Sequence, residues 1–292
     1  SGRDWYNPYY LTNQHYRYLE YYFGQISELL TRYGQVDILW FDSLGSSSLN
    51  QWDPRTMIRR IKQYQPDILI NNRMNGTRGG NKGPLAEDLK GDFLTPECKL
   101  GPFNDKTPWE SCMTVADIPG TRWTGNWSYT SKAKVKPVEE SIKFLINNTV
   151  KDGNLLYNIG PTPLGTFVPE QANTFLAMGK WIAPYREAIY GTRGGPYKNM
   201  PWGGSCYKTN RNGKKTVYLH VSPLIAQKGK ELKGSEPLLI KDIGEKFTKA
   251  TVIADGTFNG KEAKLEKEDG QYKITLPAGM SWDKWDTVIK LQ

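Results

Sequence analysis

The sequence predicts an α/β fold in two parts, a parallel sheet of βα units in residues 1–193 and an antiparallel β-sandwich in residues 194–292. In the first part, helical periodicity alternates with short apolar runs, as expected for βα units around a parallel sheet. In the second part, short β-rich runs are separated by Asn-Gly and Asp-Gly pairs, which favour the tight turns of antiparallel hairpins.

Four helices are predicted from apolar residues repeated at i, i+3 and i+4. The first runs from Tyr16 to Leu30 and stops before Gly34, a residue suited to the end of a helix. The second begins at Asp53-Pro54, because aspartate caps a helix and proline suits its first turn, and it runs to Tyr64. The last two span residues 137–150 and 169–181.

Strands buried on both faces of a parallel sheet are predicted where apolar residues follow one another. These runs span residues 36–41, 67–71 and 154–159, with weaker candidates at 91–94 and 109–115. The runs of the second part span residues 215–221, 236–240, 250–254, 272–276 and 287–291. In a βα barrel the chemistry lies just beyond the C-terminal ends of the strands, so the polar residues there are site candidates. They are Asp42, Asn72, Arg73, Glu97 and Asn158.

Composition indicates a globular protein. The chain of 292 residues is 38% hydrophobic with a mean hydropathy of −0.63, and no run approaches the ~20 apolar residues of a membrane span. We therefore expect no membrane partner. Ten Trp and 17 Tyr against 9 Phe is a bias towards rings that carry a polar atom. Such rings pack against sugars, although a large hydrophobic core whose boundary contacts water would use the same residues.

Charge and motifs exclude several functional classes. A net charge of +9 would attract nucleic acid or an acidic glycan, but the Lys and Arg residues are dispersed without a basic-aromatic motif, so we expect no nucleic-acid partner. The sequence has no glycine-rich phosphate loop, HExxH or GxSxG. Because His15 and His220 lack ligand spacing and the three cysteines form no CxxC pair, we expect no metal and no cofactor.

Three carboxylates are candidates for chemistry. Asp42 follows an apolar strand beside Trp40, where it could attack a carbon centre or simply cap the next turn. Glu97 and Glu110 are both candidates for the second carboxylate of a glycosidase pair, in which one group is ionised and the other is protonated. Taken alone, Glu110 fits an ordinary salt bridge at the end of a strand better than a catalytic role.

Two further residues are candidates for binding. Arg73 follows the second strand, and it could hydrogen-bond a sugar hydroxyl, hold a carboxylate ionised, or pair with any nearby acid. Trp127 could form a stacking wall for a sugar or anchor its loop by packing.

Taken in order, several segments resemble glycoside hydrolase family 29, the α-L-fucosidases. The segments are YGQVDILWFD (33–42), NNR (71–73), GDFLTPE (91–97), WESCMT (109–114), GNLLYNIGP (153–161), MGKW (178–181) and EAIYGTR (187–193). Each segment alone is a weak indication, but the ordered set over about 190 residues is specific.

The resemblance implies a retaining double displacement that removes an α-L-fucosyl residue from a fucosylated oligosaccharide or polysaccharide. It places the nucleophile at Asp42 and the acid/base at Glu97, with Glu110 as the rival acid/base. It also assigns the sugar pocket to Trp40, Arg73 and Trp127. The family's usual substrates imply a secreted or periplasmic protein, although residues 1–10 do not have the composition of a signal peptide.

The chain also departs from the family. Residues 4–10 resemble the segment after the fourth barrel strand, so we expect only the second half of a (β/α) TIM-like barrel, about four of its eight strands. The partner of such a half is either the missing N-terminal half or a second copy of the chain. An alternative function is therefore a catalytically incomplete carbohydrate-binding or structural fragment, and a third is a barrel glycosidase acting on another sugar.

Overall fold

The computed structural model describes residues 13–42, 53–75, 89–120 and 126–292. The chain divides into two compact units. The N-terminal unit comprises Ser1–Glu97 and Thr107–Trp109, and the C-terminal unit comprises Cys98–Lys106 and Glu110–Gln292. The predicted boundary between residues 193 and 194 stays a prediction.

The N-terminal unit contains the two predicted helices, α1 (Asn13–Arg32) and α2 (Pro54–Tyr64). Gly34 follows α1 with a φ of 82°, a conformation that glycine adopts without a steric penalty. Asp53 caps α2, because its Oδ1 accepts a hydrogen bond of 3.3 Å from the backbone N–H of Thr56. The cap and the proline that follows it confirm the predicted start of this helix.

The strands of this unit are short and parallel. Strand β1 (Ile38–Leu39) pairs with β2 (Leu69–Ile70), with Ile38 opposite Leu69 and Leu39 opposite Ile70. Parallel bridges then join Asn71 to Phe93 and Leu94 to Trp109. The apolar runs therefore pair in parallel as predicted, and a short 3₁₀ turn, Asn72–Asn75, follows β2.

The core of the N-terminal unit lies between the helices and one face of this sheet. Its buried side chains are Ile26, Leu30, Phe41, Met57, Ile61, Ile68, Ile70 and Met74. Successive side chains of a strand point to opposite faces, which places Ile38 and Leu69 on the other face. They are 53% and 45% exposed. The prediction that these strands are buried on both faces is therefore wrong, because the described part of the unit does not cover this second face.

The C-terminal unit begins with mixed α/β structure. Strand β3 (Glu110–Thr114) pairs in parallel with β6 (Asn154–Asn158), and the short β4 (Ala116–Asp117) pairs with β5 (Lys134–Val135) in antiparallel fashion. Helix α3 (Val138–Val150) matches its prediction. Helix α4 (Pro169–Ile189) continues past the predicted end at residue 181 and past Pro184, because its last turns pack into a buried cluster with the following sheet.

Eight strands form the rest of this unit. They are β7 (Arg193–Gly194), β8 (Gly203–Thr209), β9 (Lys215–Val221), β10 (Leu238–Lys241), β11 (Ala250–Ile253), β12 (Glu262–Glu268), β13 (Gln271–Thr275) and β14 (Thr287–Leu291). All neighbours are antiparallel, in the order β10-β13-β12-β11-β14-β9-β8-β7. The five predicted strand runs of this part are thereby confirmed.

This sheet folds over its own core. Strand β12 pairs with β11 through Glu262 and Ala263 and with β13 through Lys264–Glu268, so it changes partner along its length. Side chains from both halves of the sheet meet in one buried cluster, which includes Leu219, Ile240, Val252, Ile274 and Ile289. Two faces that share a core are consistent with the predicted β-sandwich.

Candidate active site

Four of the six predicted site residues, Trp40, Asp42, Arg73 and Glu97, meet at one edge of the N-terminal unit. Asp42 follows β1, Arg73 follows β2, and Glu97 follows the bridged segment at Phe93 and Leu94. The carboxyl ends of parallel strands share an edge of their sheet, which explains why residues distant in sequence come together here.

Arg73 joins the two carboxylates. Its Nη1 lies 2.7 Å from Asp42 Oδ1 and 2.9 Å from Glu97 Oε2. The two carboxylate oxygens therefore lie at most about 5.6 Å apart, an upper limit that admits the ~5–5.5 Å separation of the carboxyl groups in retaining glycoside hydrolases.

The guanidinium is held on every side. Its Nε donates to Thr95 Oγ1 at 2.9 Å and its Nη2 donates to the Thr95 carbonyl oxygen at 3.2 Å. Its Cζ lies over the Trp40 ring, 4.6 Å from the ring centre. All three guanidinium nitrogens thus have partners, a rigid arrangement that a lysine could not reproduce.

Sequence reasoning named Asn72 but missed Thr95 and Asn71, which support the segments around this arginine. Thr95 is fully buried, and its N–H and hydroxyl both donate to Asn72 Oδ1, at 3.1 and 3.0 Å. Asn71 is also fully buried, and its amide bonds to the backbone of Phe41. The available signal was polar residues directly after apolar strands, since side chains buried there need partners within the protein.

Asp42 is accessible to a ligand. Its side chain is 59% exposed and that of Glu97 is 34% exposed, whereas Arg73 is buried. A cleft of about 560 Å³ is lined by Asp42 and Trp40 together with Tyr22 and Tyr33 from α1 and the turn after it. The arrangement can present an ionised carboxylate to an electrophilic carbon while a second carboxylate stands nearby for proton transfer.

The other two predicted site residues lie in the C-terminal unit. Glu110 is the half-buried first residue of β3. Trp127 is 40% exposed, and its carbonyl oxygen accepts a hydrogen bond of 3.2 Å from Asn158 Nδ2. Asn158 ends β6 and is itself one of the polar residues predicted at strand ends.

A separate titratable pair lies in the interior of the C-terminal unit. His220 Nδ1 is 2.7 Å from Asp286 Oδ2, and His220 Nε2 is 3.1 Å from the carbonyl oxygen of Ala188 near the end of α4. Burial lowers the pKa of His220, but the charge and hydrogen bond of Asp286 outweigh it and raise that pKa well above its usual value. An imidazolium donating from both nitrogens fits this geometry.

Two searches of the described ranges give negative results. Those residues contain no group of three or more His, Cys, Asp or Glu side chains arranged to hold a metal ion. Within the same ranges, no helix combines the length and apolar character needed to cross a membrane.

Parallel strands that end on paired carboxylates are typical of glycoside hydrolases as a class. Within that class, the family model of the α-L-fucosidases matches residues 1–187. The chain therefore belongs to the α-L-fucosidase family, glycoside hydrolase family 29.

Relatives and solved structures agree with this family. Rat plasma α-L-fucosidase is 26% identical over 227 residues, 74% of this chain and 46% of that protein. The α-L-fucosidase of Dictyostelium discoideum is 25% identical over 94% of this chain and 57% of its own length. α-L-Fucosidase isoenzyme 1 from Paenibacillus thiaminolyticus superimposes with a TM-score of 0.73 at 27% identity, covering 94% of this chain and 62% of that one. The chain thus spans about half the length of the curated relatives it matches.

Proposed function

We propose that this chain carries the catalytic carboxylates of a retaining α-L-fucosidase, which removes fucosyl residues from glycans. The observation that supports this proposal most strongly is the pair Asp42 and Glu97 on one Arg73 nitrogen, at a spacing that suits a double displacement. Family membership supplies the substrate class, a fucosylated oligosaccharide or polysaccharide.

In this proposal the reaction has two steps. Asp42 attacks the anomeric carbon of the fucosyl residue while Glu97 donates a proton to the departing glycosidic oxygen, so a fucosyl-Asp42 ester forms and the leaving sugar departs. Glu97 then removes a proton from water, whose oxygen attacks the same carbon and releases fucose and the free Asp42 carboxylate. Two inversions at one carbon give net retention of configuration.

Arg73 orients both carboxylates without taking part in proton transfer. Because it is buried and bonded at each nitrogen, it holds the Asp42 and Glu97 oxygens at fixed points, which reduces the reorganisation needed to reach the transition state. Trp40 stacks on the same guanidinium, and we assign it a wall of the sugar pocket. Trp127 remains a candidate for sugar binding by its own exposed ring.

Glu110 remains the rival acid/base. Glu97 is favoured because it shares a cation with Asp42, whereas Glu110 lies at the start of β3 in the other unit. A general acid matters most for poor leaving groups, so substitution of the true acid/base slows natural glycans far more than activated aryl fucosides.

We also propose that the parallel strands belong to the second half of a (β/α) barrel, with residues 1–193 as its catalytic portion and 194–292 as the β-sandwich domain. The parallel pairings of β1 with β2 and of β3 with β6 support a barrel of this kind. The usual location of enzymes acting on external glycans supports a secreted or periplasmic protein, and the partner beyond substrate would be an N-terminal half-barrel or a second copy.

The alternative proposal is a carbohydrate-binding fragment without turnover. Two observations favour it: the exposure of the apolar pair Ile38 and Leu69, and the 59% exposure of Asp42, since glycosyl transfer to a carboxylate benefits from a site that excludes water. Such a fragment would bind fucose through its aromatic side chains and leave an aryl fucoside intact.

Hydrolysis of an aryl α-L-fucoside tests the two proposals. The chain is assayed alone and together with the N-terminal half of a relative, beside the Asp42→Ala variant. Turnover in either wild-type sample that is lost in the variant, with an unchanged thermal midpoint, supports the enzyme. Fucose binding without turnover in any sample supports the binding fragment, and equal turnover by the variant would remove Asp42 from the mechanism.

A further inference from the structure

The side chain of Asn71 makes the two hydrogen bonds to Phe41 that the main chain of a neighbouring β-strand would otherwise make. The backbone N–H of Phe41 donates to Asn71 Oδ1 at 2.9 Å, and Asn71 Nδ2 donates to the Phe41 carbonyl oxygen at 2.8 Å. A primary amide carries both an acceptor and a donor, so one side chain satisfies both backbone groups of a single residue. A neighbouring β-strand would satisfy the same two groups with its main chain.

This contact stands where the ladder between β1 and β2 ends. The last paired residues are Leu39 and Ile70, so the backbone of the next residue, Asn71, no longer pairs with β1. Asn71 instead forms its main-chain bridge with Phe93 on the other side. Its side chain therefore spans the gap that opens between the two strands, and the residue itself is completely buried.

The backbone of Asn71 has little freedom to move away from this position. Gly91 packs so closely against it that a Cβ atom at Gly91 would lie 2.7 Å from the carbonyl carbon and oxygen of Asn71. The Phe41 ring is fixed as well, since it is buried in the core and meets Tyr22 edge to face at 6.5 Å between ring centres. The amide thus connects two anchored segments.

The residue that follows Phe41 is Asp42, whose carboxylate contacts Arg73, two residues after Asn71. One short segment therefore fixes both the backbone before Asp42 and the carboxylate of Asp42. We propose that Asn71 is a positioning residue for Asp42, holding the peptide that precedes it so that the carboxylate reaches its site of attack. This inference rests on the nucleophilic role proposed for Asp42, and Asn71 itself touches no reacting atom.

The test measures the attack of Asp42 directly. Wild type and Asn71→Leu are incubated with 2-fluoro-fucosyl fluoride, and the rate of covalent labelling is followed by intact mass. Loss of both amide bonds frees the Phe41 backbone, and misplacement of a reacting group by about 1 Å lowers the rate by about 100-fold. The affinity for free fucose should stay unchanged, because the substituted side chain does not line the sugar site.

A matched control is available in the C-terminal unit. Asn148 is also buried, and its Nδ2 donates to the Phe144 carbonyl oxygen at 2.7 Å within α3. Asn148→Leu removes a buried amide of the same kind away from Phe41, so its labelling rate should equal that of the wild type. Asn71→Asp keeps the shape and the acceptor of the side chain but, as a carboxylate, loses the donor. Its rate of covalent labelling should lie between those of wild type and Asn71→Leu, and this variant replaces Asn71→Leu in the test if the leucine variant does not fold.

Hydrogen exchange at the Phe41 amide separates this inference from the proposed function. The N–H of Phe41 should exchange faster in Asn71→Leu than in wild type and in Asn148→Leu. Unchanged exchange would overturn the contact whether or not the chain is active. Faster exchange with an unchanged labelling rate would overturn the positioning role, whereas a wild type that is never labelled at Asp42 would overturn the proposed nucleophile and leave the contact established.

Discussion

Replacement of Arg73 by methionine should reduce kcat/KM for an aryl α-L-fucoside on the order of 100-fold. The arginine makes a charge-assisted hydrogen bond of 2.7 Å to Asp42, which contributes roughly 1.5–3 kcal/mol, and an ion pair of 2.9 Å with Glu97, which contributes up to about 1 kcal/mol where it is partly exposed. Because the Asp42 side chain is more than half exposed, solvent screening keeps the total below the sum of these upper limits, at about 3 kcal/mol. Each 1.36 kcal/mol of transition-state stabilisation corresponds to about a tenfold change in rate.

The conservative variant Arg73→Lys should recover little of this activity. An ammonium group has three donors on a single nitrogen, so it cannot reproduce the four contacts that Arg73 makes through three separate nitrogens. It also cannot stack on Trp40 as a planar guanidinium does. Both variants are assayed by initial rates over a range of substrate concentrations, beside thermal unfolding to verify the fold.

Arg60→Met is the matched control for this prediction. Its guanidinium also lies over an aromatic ring, at 4.7 Å from the centre of Phe23, but on an exposed face of α2. This variant should keep the wild-type kcat/KM. If Arg73→Met retained activity within about threefold of wild type, or if Arg73→Lys matched wild type, the shared arginine would not organise the carboxylates and the geometric argument would be refuted.

Three further predictions concern the acid/base, the backbone and the buried ion pair. Glu97→Ala should slow hydrolysis of a natural fucoside much more than that of an aryl fucoside, and the same selectivity in Glu110→Ala instead would reverse the assignment. Gly91→Ala should lower the free energy of unfolding by about 1–3 kcal/mol in denaturant titrations, because its φ is 72° and a Cβ would collide with the backbone of Asn71 and Asn72. Gly24→Ala, in open space on α1, should instead stabilise the protein by about 1 kcal/mol. His220→Leu should cost about 3–5 kcal/mol by leaving its partner carboxylate buried and unpaired. Since the folded-state pKa of His220 lies above its usual 6.5, the contribution of His220 to the free energy of unfolding is complete below about pH 6.5 and is lost as pH rises through the folded-state pKa. Denaturant titrations over a pH series test this, and it would be refuted if the free energy of unfolding changed with pH equally in wild type and His220→Leu.

The sequence was sufficient to predict which residues lie at the strand ends. Asp42, Arg73 and Glu97 each come within three residues of the end of an apolar run, and parallel pairing brings such positions to one edge whatever the detailed geometry. The cap at Asp53 and the glycine after α1 were also predictable, since both depend on residues within one turn of the helix end.

The supporting contacts were not predictable in the same way. The bonds from Asn71 to Phe41 span 30 residues and those from Arg73 to Thr95 span 22, so they depend on how far two strands diverge and not on any local pattern. The exposure of Ile38 had a similar origin, because an apolar run indicates a strand but does not show what covers each of its faces.

The length of α4 illustrates a third limit. A proline usually ends a helix, and the pattern before Pro184 favoured a stop near residue 181. The helix continues because Tyr185, Ala188 and Ile189 gain a buried environment with the sheet, and this tertiary packing exceeds the local penalty.

The contact between the end of α4 and the β-sheet bears on how this family could exchange its C-terminal domains during evolution. Tyr185, Ala188 and Ile189 share their cluster with side chains of β8, β9, β11 and β14, and the His220 imidazole bonds to the Ala188 carbonyl. A recombination point at residue 194 would pair a helix from one ancestor with a sheet from another and leave both halves of this cluster mismatched. A crossover before residue 169 would keep this cluster together, but it would separate Met178 of α4 from Ile142, Ile146 and Val150 of α3, with which it forms a second buried cluster. Residues 138–292 therefore contain both clusters whole.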